Sequence, residues 1–170
     1  MNARRELRND PRGVLRNALE DVRAGMLGVE GSGQHMQPMT HFPDETLDII
    51  WFVGSKSSDL VKAVGLGGQA HYCLIGRDHN LHICMSGTLE QAEDRAVLDR
   101  LWSPVLDAWF EGSPADPDVA LPRLALDAAS IWASTDTAIW FATQIIKANL
   151  VASHQPDVGD HVVIPLGRLA

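Results

Sequence analysis

Cysteine is scarce in this chain: Cys73 and Cys84 are the only two among 170 residues. Two thiols are too few for a disulfide scaffold, so the core must be built from apolar burial. Long hydrophobic runs are also missing. No stretch of about 18 apolar residues occurs, so nothing reads as a membrane-spanning helix and no membrane partner is expected. Met1–Arg16 is mixed in charge, without an apolar stretch or a small-residue cleavage site. A secretory signal is therefore not expected, and the cytoplasm is the expected compartment. Positive charge is in deficit, with 14 Lys and Arg against 22 Asp and Glu, a net charge of −8. Nucleic-acid binding by phosphate neutralisation is accordingly not expected, although one small anion in a local basic pocket is compatible. Five arginines lie between Arg4 and Arg16, leaving much of the remainder acidic.

Catalytic motifs are absent as well. There is no Gly-x-Ser-x-Gly elbow, no phosphate loop ending in Gly-Lys-Ser/Thr and no His-Glu-x-x-His. Gly65-Leu66-Gly67-Gly68 lacks dinucleotide-binding spacing and reads as a turn. Asp157, Asp160 and His161 are metal-ligand types, but a flexible tail is the simpler reading. No side chain stands out as a nucleophile. If the chain is an enzyme, a bound cofactor would supply the reactive centre.

What remains is an ordinary globular composition, 45% apolar and 21% charged, of a length that suits one domain. Asp10-Pro11 opens a helix that runs to about Arg23, with Val14, Leu15, Leu19, Val22 and Met26 at helical spacing. Met26–Glu30 and His35–Phe42 read as extended segments around a Gly31-Ser32-Gly33 turn. A strand follows over Leu47–Val53, and Ser57-Ser58-Asp59 caps a short helix closed by Gly65. A short helix is expected over Leu89–Leu101, a turn or helix over Pro104–Phe110, a strand over Leu121–Leu126, and a helix from about Thr137 to Val151. The tail from His154 holds a single apolar run, Val162–Leu166. Most connections are too short for serial βαβ crossovers, which favours a small antiparallel barrel.

The clearest element is a hairpin from about Gly68 to Thr88. With Arg77-Asp78-His79-Asn80 as its loop, antiparallel register sets Cys73 opposite Cys84 and Ile75 opposite His82. One face then carries Tyr72, Leu74, Ile83 and Met85, a core set. The other carries His71, Cys73, Ile75, His82, Cys84 and Ser86. Two thiols and two imidazoles are zinc-ligand types, but no close chelating loop accompanies them and no metal is assigned. A Cys73–Cys84 disulfide would join directly opposed strand positions, which usually strains the bond. The preferred reading is a moderately polar face covered by a ligand or a second subunit.

Several segments occur in an order that resembles a known family. These are Gln37-Pro38-Met39-Thr40, Trp51 through Ser58, Met85-Ser86-Gly87-Thr88, Leu101-Trp102-Ser103-Pro104, Ala108 through Gly112, Asp116-Pro117-Asp118 and Ile131-Trp132. Together they resemble the general stress protein 26 group of the pyridoxamine 5′-phosphate oxidase-like flavin-binding split barrels. The resemblance spans roughly Leu15 to Trp132. It implies one α+β, mainly β domain over 1–170: a six-stranded antiparallel split barrel with flanking helices, with 133–170 a C-terminal helix and tail beyond the matched part. It also implies a cytoplasmic homodimer holding FMN, with FAD possible, at the subunit interface.

Carried over by position, Gln37, Met39 and Thr40 would lie on the strand passing the flavin. Phe52, Val53 and Gly54 would line the next, and Ser57 and Ser58 would sit at the phosphate end, with Lys56 adding charge. His82 would reach the ring system from the partner subunit, and Trp132 would pack nearby. Two positions depart from the family pattern: Gln37 stands where arginine is common before Pro-Met, and Leu60 where lysine is common. Each basic residue would have paired with phosphate, a charge-assisted contact of about 1.5–3 kcal/mol.

Among the tryptophans, Trp51 and Trp102 are expected in the core. For Trp109-Phe110 core packing is preferred over a lid or dimer surface. The function the resemblance implies is that of a flavin-dependent oxidoreductase linked to stress response. The alternative is a non-catalytic module that binds or senses a flavin or another planar ligand. Oxidation of pyridoxamine phosphate itself is disfavoured, because Arg168 stands alone near the C-terminus instead of within a basic cluster.

Overall fold

The computed structural model describes residues 3–65, 67–110, 113–134, 143, 145–147 and 159–167. The chain opens with two helices, α1 (Ala3–Asn9) and α2 (Pro11–Asp21). Asp10 caps α2 as its sequence demands, accepting from the Gly13 N–H at 2.9 Å. Val14, Leu15, Ala18 and Leu19 form the buried stripe of α2. The charged helix α1 was not expected. Its arginines, with Arg12 of α2, serve the C-terminal strand: Arg4 pairs with Asp160 at 2.7 Å, and Arg12 donates to the Pro165 carbonyl at 2.9 Å.

The strands are β1 (Ala24–Val29), β2 (Gln37–Thr40), β3 (Phe42–Pro43), β4 (Ile49–Trp51), β5 (Gly54–Ser55), β6 (Gly68–Ile75), β7 (Leu81–Ala92), β8 (Val119–Ser134) and β9 (Gly159–Pro165). Helices α3 (Asp59–Val64), α4 (Arg95–Leu101) and α5 (Pro104–Trp109) lie between them. Among the described residues every pairing is antiparallel. The order is β2-β1-β6-β7-β8-β4-β3, with β5 and β9 also paired to β8. The fold is a mainly β split barrel with flanking helices, as the sequence led us to expect, but with more strand segments than six. The expected strand Leu47–Val53 is shorter, because Leu47 adopts φ 60° and the Asp44 carboxylate accepts from the Asp48 and Ile49 amides. That leaves β3, β4 and β5 as separate short pieces.

Two expectations fail here and a third is extended, for a shared reason. Leu89–Ala92 extends β7 instead of starting a helix, and α4 begins only after the Asp94 cap. The expected Leu121–Leu126 strand is present within the N-terminal half of the 16-residue β8. The tail strand β9, expected to be loose, pairs with β8 from Ala128–Pro165 to Ser134–Gly159. In each case ladder pairing and burial outweigh weak local propensity. The helix expected over Thr137–Val151 lies largely outside the described residues.

The hairpin follows its expected register: Cys73 opposes Cys84, and Ile75 opposes His82. His79 takes φ 58° in its loop. Along β7–β8 the register slips between Ser86 and Gly87. Only glycine fits there, since a Cβ on Gly87 would sit 2.0 Å from the Ala125 carbonyl oxygen. Tyr72, Leu74, Ile83 and Met85 are buried in the main core with α1, α2 and α3 residues. A second cluster gathers Trp51, Leu98, Val119 and Leu121, with Trp102 and Phe110 partly buried against it.

Candidate functional site

Strand β2, the β4–β5 segment, helix α5 and the loop after it enclose a cleft of about 850 Å³, within the usual range for small-molecule sites. Gln37, Met39 and Thr40 line one wall; Val53, Gly54, Ser55 and Ser58 line the next. Val105, Leu106, Trp109 and Phe110 form the third, and Asp116 and Asp118 close one end. Arg23 is the one cation among the described lining residues, which include no cysteine, histidine or lysine.

Of the residues expected at a ligand, Gln37, Met39, Thr40, Val53, Gly54 and Ser58 meet in this cleft. Phe52 points the other way and is fully buried, edge-on to Tyr72 at 5.1 Å between ring centroids. His82 and Trp132 oppose each other on the outer face of the sheet, where Trp132 stacks on His161 at 4.6 Å. Trp109 is not a core residue: it is 79% exposed, because α5 buries none of its side chains. Trp102 packs on the second cluster and donates its indole N–H to Asp107.

The serine loop is already engaged by the chain itself. Asp118 accepts from the Ser55 hydroxyl at 2.5 Å and from the Ser57 amide at 3.1 Å. Lys56 donates to the Pro117 carbonyl at 2.7 Å, while Ser58 caps α3 by accepting from the Val61 N–H at 3.2 Å. The donors expected to meet a phosphate thus have an internal carboxylate, and α3 begins with another acid, Asp59. The cleft fits a planar, mostly apolar ligand with amide and hydroxyl contacts. Its fit to a phosphate at Ser57 would require Asp118 to give way.

Behind the β2 wall lies a buried polar relay. His41 is 6% exposed, with Nε2 2.7 Å from the Leu19 carbonyl and Nδ1 2.6 Å from the Tyr72 hydroxyl. That hydroxyl also lies 2.9 Å from the Met39 carbonyl. Burial lowers the His41 pKa, opposed in part by the Leu19 contact. The neutral ring then donates from Nε2 to Leu19, and the single Tyr72 hydroxyl proton is shared between Nδ1 and the Met39 carbonyl. Burial raises the Tyr72 pKa, against a smaller lowering from the Gly25 backbone, so the phenol keeps its proton. The relay fixes the backbone of Met39, one residue from Thr40 in the cleft wall.

Sequence reasoning missed Arg23, Asp118 as the partner of the serines, and the α5 wall. Asp116-Pro117-Asp118 was visible as a motif, but its pairing joins residues 63 positions apart and leaves no local signal.

The sequence profile of the pyridoxamine 5′-phosphate oxidase-like family matches residues 10–157. A solved structure described as a general stress protein 26, from Jannaschia sp. CCS1, is 35% identical. It covers 88% of this chain and 94% of its own, with a TM-score of 0.68. A general stress family protein from Xanthomonas campestris pv. campestris is also 35% identical, covering 76% of this chain and 90% of its own, with a TM-score of 0.69. The general stress FMN/FAD binding protein of Xanthomonas citri is 38% identical, covering 67% and 81%, with a TM-score of 0.61. No curated protein gives a significant match. In fold, in sequence and over most of its length, the chain belongs to the pyridoxamine 5′-phosphate oxidase-like family.

Proposed function

We propose that the cleft holds a flavin, FMN in the first instance and FAD as the alternative, and that the protein is a flavin-dependent oxidoreductase working as a homodimer. The observation that carries this reading is the cleft itself, with Gln37, Met39, Thr40, Val53 and Gly54 on adjoining walls. Similarity to the Xanthomonas citri FMN/FAD binding protein supports the same ligand class. Gln37 and Thr40 would meet the polar edge of the ring, Met39 and Val53 its apolar face, and Trp109 would exclude water. Flavin, when bound, supplies hydride and electron transfer; the chain's own residues bind, orient and desolvate it. A negative charge on the ligand would be met by Arg23 more readily than by the Asp118-engaged serine loop. A second copy would cover the outer strip of Ile75, Trp132 and Val163, which is exposed here, and bring its His82 and Trp132 toward the ligand. The stress-response setting follows the names of the relatives.

One observation favours a non-catalytic binding or sensing module as a second reading. No histidine, cysteine or lysine lines the cleft among the described residues, so within one subunit proton delivery to a substrate would fall to acids or water.

The test is the absorbance spectrum of the protein as isolated, the mass of any released ligand, and titration with FMN, FAD and riboflavin. Flavin bands and saturable micromolar binding are expected. Failure to bind any of the three removes the proposal. Bound flavin that neither NADH nor NADPH reduces favours the binding module.

A further inference from the structure

The outer face of the β6–β7 hairpin carries a line of reactive groups that the flavin reading does not use. Cys73 and Cys84 are both free and half-buried, and directly opposed in register. The Gly76 N–H to Leu81 carbonyl bond at 2.9 Å sets the alternation of the ladder and makes Cys73–Cys84 a non-hydrogen-bonded pair. Such pairs bring their Cα atoms to about 4.5 Å, inside the roughly 4.4–6.8 Å range of disulfides. Cys84 Sγ lies 3.5 Å from Nδ1 of His71, and Nε2 of the same ring lies 2.7 Å from the Glu30 carboxylate.

Glu30 and Cys84 therefore address opposite nitrogens of one imidazole, as a relay and not a ligand cage. Among the described residues no group of three or more His, Cys, Asp or Glu has the arrangement to hold a metal. Desolvation pushes the Cys73 thiol up to about 12, with the hydrogen bond and charge of Cys84 adding to the rise. Cys73 thus keeps its proton, and Cys84 is the thiol that faces a base. The relay borders the strip assigned above to a second copy. Its outer end is open, with the His71 and Glu30 side chains 41% and 56% exposed.

We propose that Cys84 is a hydroperoxide-reactive thiol, activated by His71 and Glu30 and resolved by Cys73 into a cross-strand disulfide. The Cys84 S–H proton passes to His71 Nδ1, while Nε2–H donates to the Glu30 carboxylate. The thiolate attacks the distal oxygen of the hydroperoxide. An S–O bond forms and the O–O bond breaks, and the leaving alkoxide or hydroxide takes the proton from Nδ1. Cys84 is then a sulfenic acid. Cys73 sulfur attacks it, the S–S bond forms, and the Cys73 proton leaves with the hydroxyl as water. Two thiols are oxidised by two electrons, and one peroxide is reduced to water and an alcohol, or to two waters.

The experiment treats the purified full chain, as isolated, with stoichiometric hydrogen peroxide. The expected result is loss of both thiols, a mass lower by two hydrogens, and one Cys73–Cys84 peptide on non-reducing digestion. In Cys73→Ser, dimedone should trap a sulfenic acid on Cys84; Cys84→Ser should give none. His71→Gln should slow thiol loss by about ten-fold or more. The proposal is overturned if wild-type thiols react no faster than glutathione, if the oxidised product is an intermolecular disulfide, or if His71→Gln reacts at the wild-type rate. Reading wild-type thiols directly keeps the test decisive even where a variant folds poorly. No flavin is needed, so the outcome is independent of the cleft's ligand.

Discussion

The two faces of the β6–β7 hairpin lie one sheet thickness apart and are held by different means. On the inner face Tyr72, Leu74, Ile83 and Met85 are buried among the helices, and each contact closes within the chain. On the outer face Ile75 is 51% exposed, Trp132 stacks on His161, and Cys84 touches a polar relay instead of a core. A period of two lets one strand serve both: alternate residues carry the stability while their neighbours stay available for ligand, partner or chemistry. The lesson is that mutational cost should alternate along these strands. Inner positions should read out in folding free energy, and outer ones in association or reactivity.

The largest break in that pattern should come from Met85→Ala. Met85 is fully buried, so truncation loses transfer energy and leaves a cavity, costing about 2–5 kcal/mol. Urea denaturation should show a lower midpoint with little change in slope. A loss below about 1 kcal/mol would mean that the inner face is not the stabilising one.

Tyr72→Phe keeps the ring and removes only the hydroxyl. Nδ1 of His41 and the Met39 carbonyl lose their donor, at a cost of about 1–3 kcal/mol. Because the relay holds β2, flavin affinity should fall together with stability. Equilibrium unfolding and flavin titration on the same variant would separate a purely structural loss from one that reaches the cleft.

How much of this was visible in the sequence differs by element. The hairpin was legible in full, since a four-residue polar loop between alternating strands fixes both register and faces. The β2 and β4–β5 walls were legible through the ordered segments shared with the family. What could not be read depends on distant partners. Leu89–Ala92 contains good helix formers and becomes strand because β8 pairs with it. The tail becomes β9 for the same reason. Asp118 stood in the sequence only as part of the Asp116-Pro117-Asp118 segment, and it took the fold to set it against Ser55 and Ser57. Trp109 looked like core because aromatics usually are, but α5 leaves it on the cleft.

The inner face should also respond to acid through His41. Its folded pKa is lowered by burial, so well above about pH 6.5 both states hold it neutral and it adds no slope. Below that, the unfolded chain takes the proton first and binds more protons than the native state, so stability falls as pH falls. Thermal unfolding of wild type should drop between about pH 7.5 and pH 5 more steeply than that of His41→Gln, which starts lower but lacks this titration. Equal slopes would remove His41 from the account.

The smallest effect on stability should come from the outer face, and it is the sharpest test of the comparison. Ile75 lies half-exposed at the tip of β6, opposite His82 and one residue beyond the core position Leu74. Ile75→Ser removes apolar surface that water already reaches, so unfolding free energy should change by no more than about 0.5 kcal/mol. If a second copy seats on this strip, however, that same surface is buried on association, and sedimentation velocity should show the variant shifted toward monomer. The thiol relay, further along the same face, should keep its reactivity, because its hydrogen bonds run from Cys84 through His71 to Glu30 and do not involve Ile75. An unchanged sedimentation profile would move the subunit contact off this strip. A stability loss as large as that of Met85→Ala would mean that the outer face is core after all, and the alternation along β6 would fail.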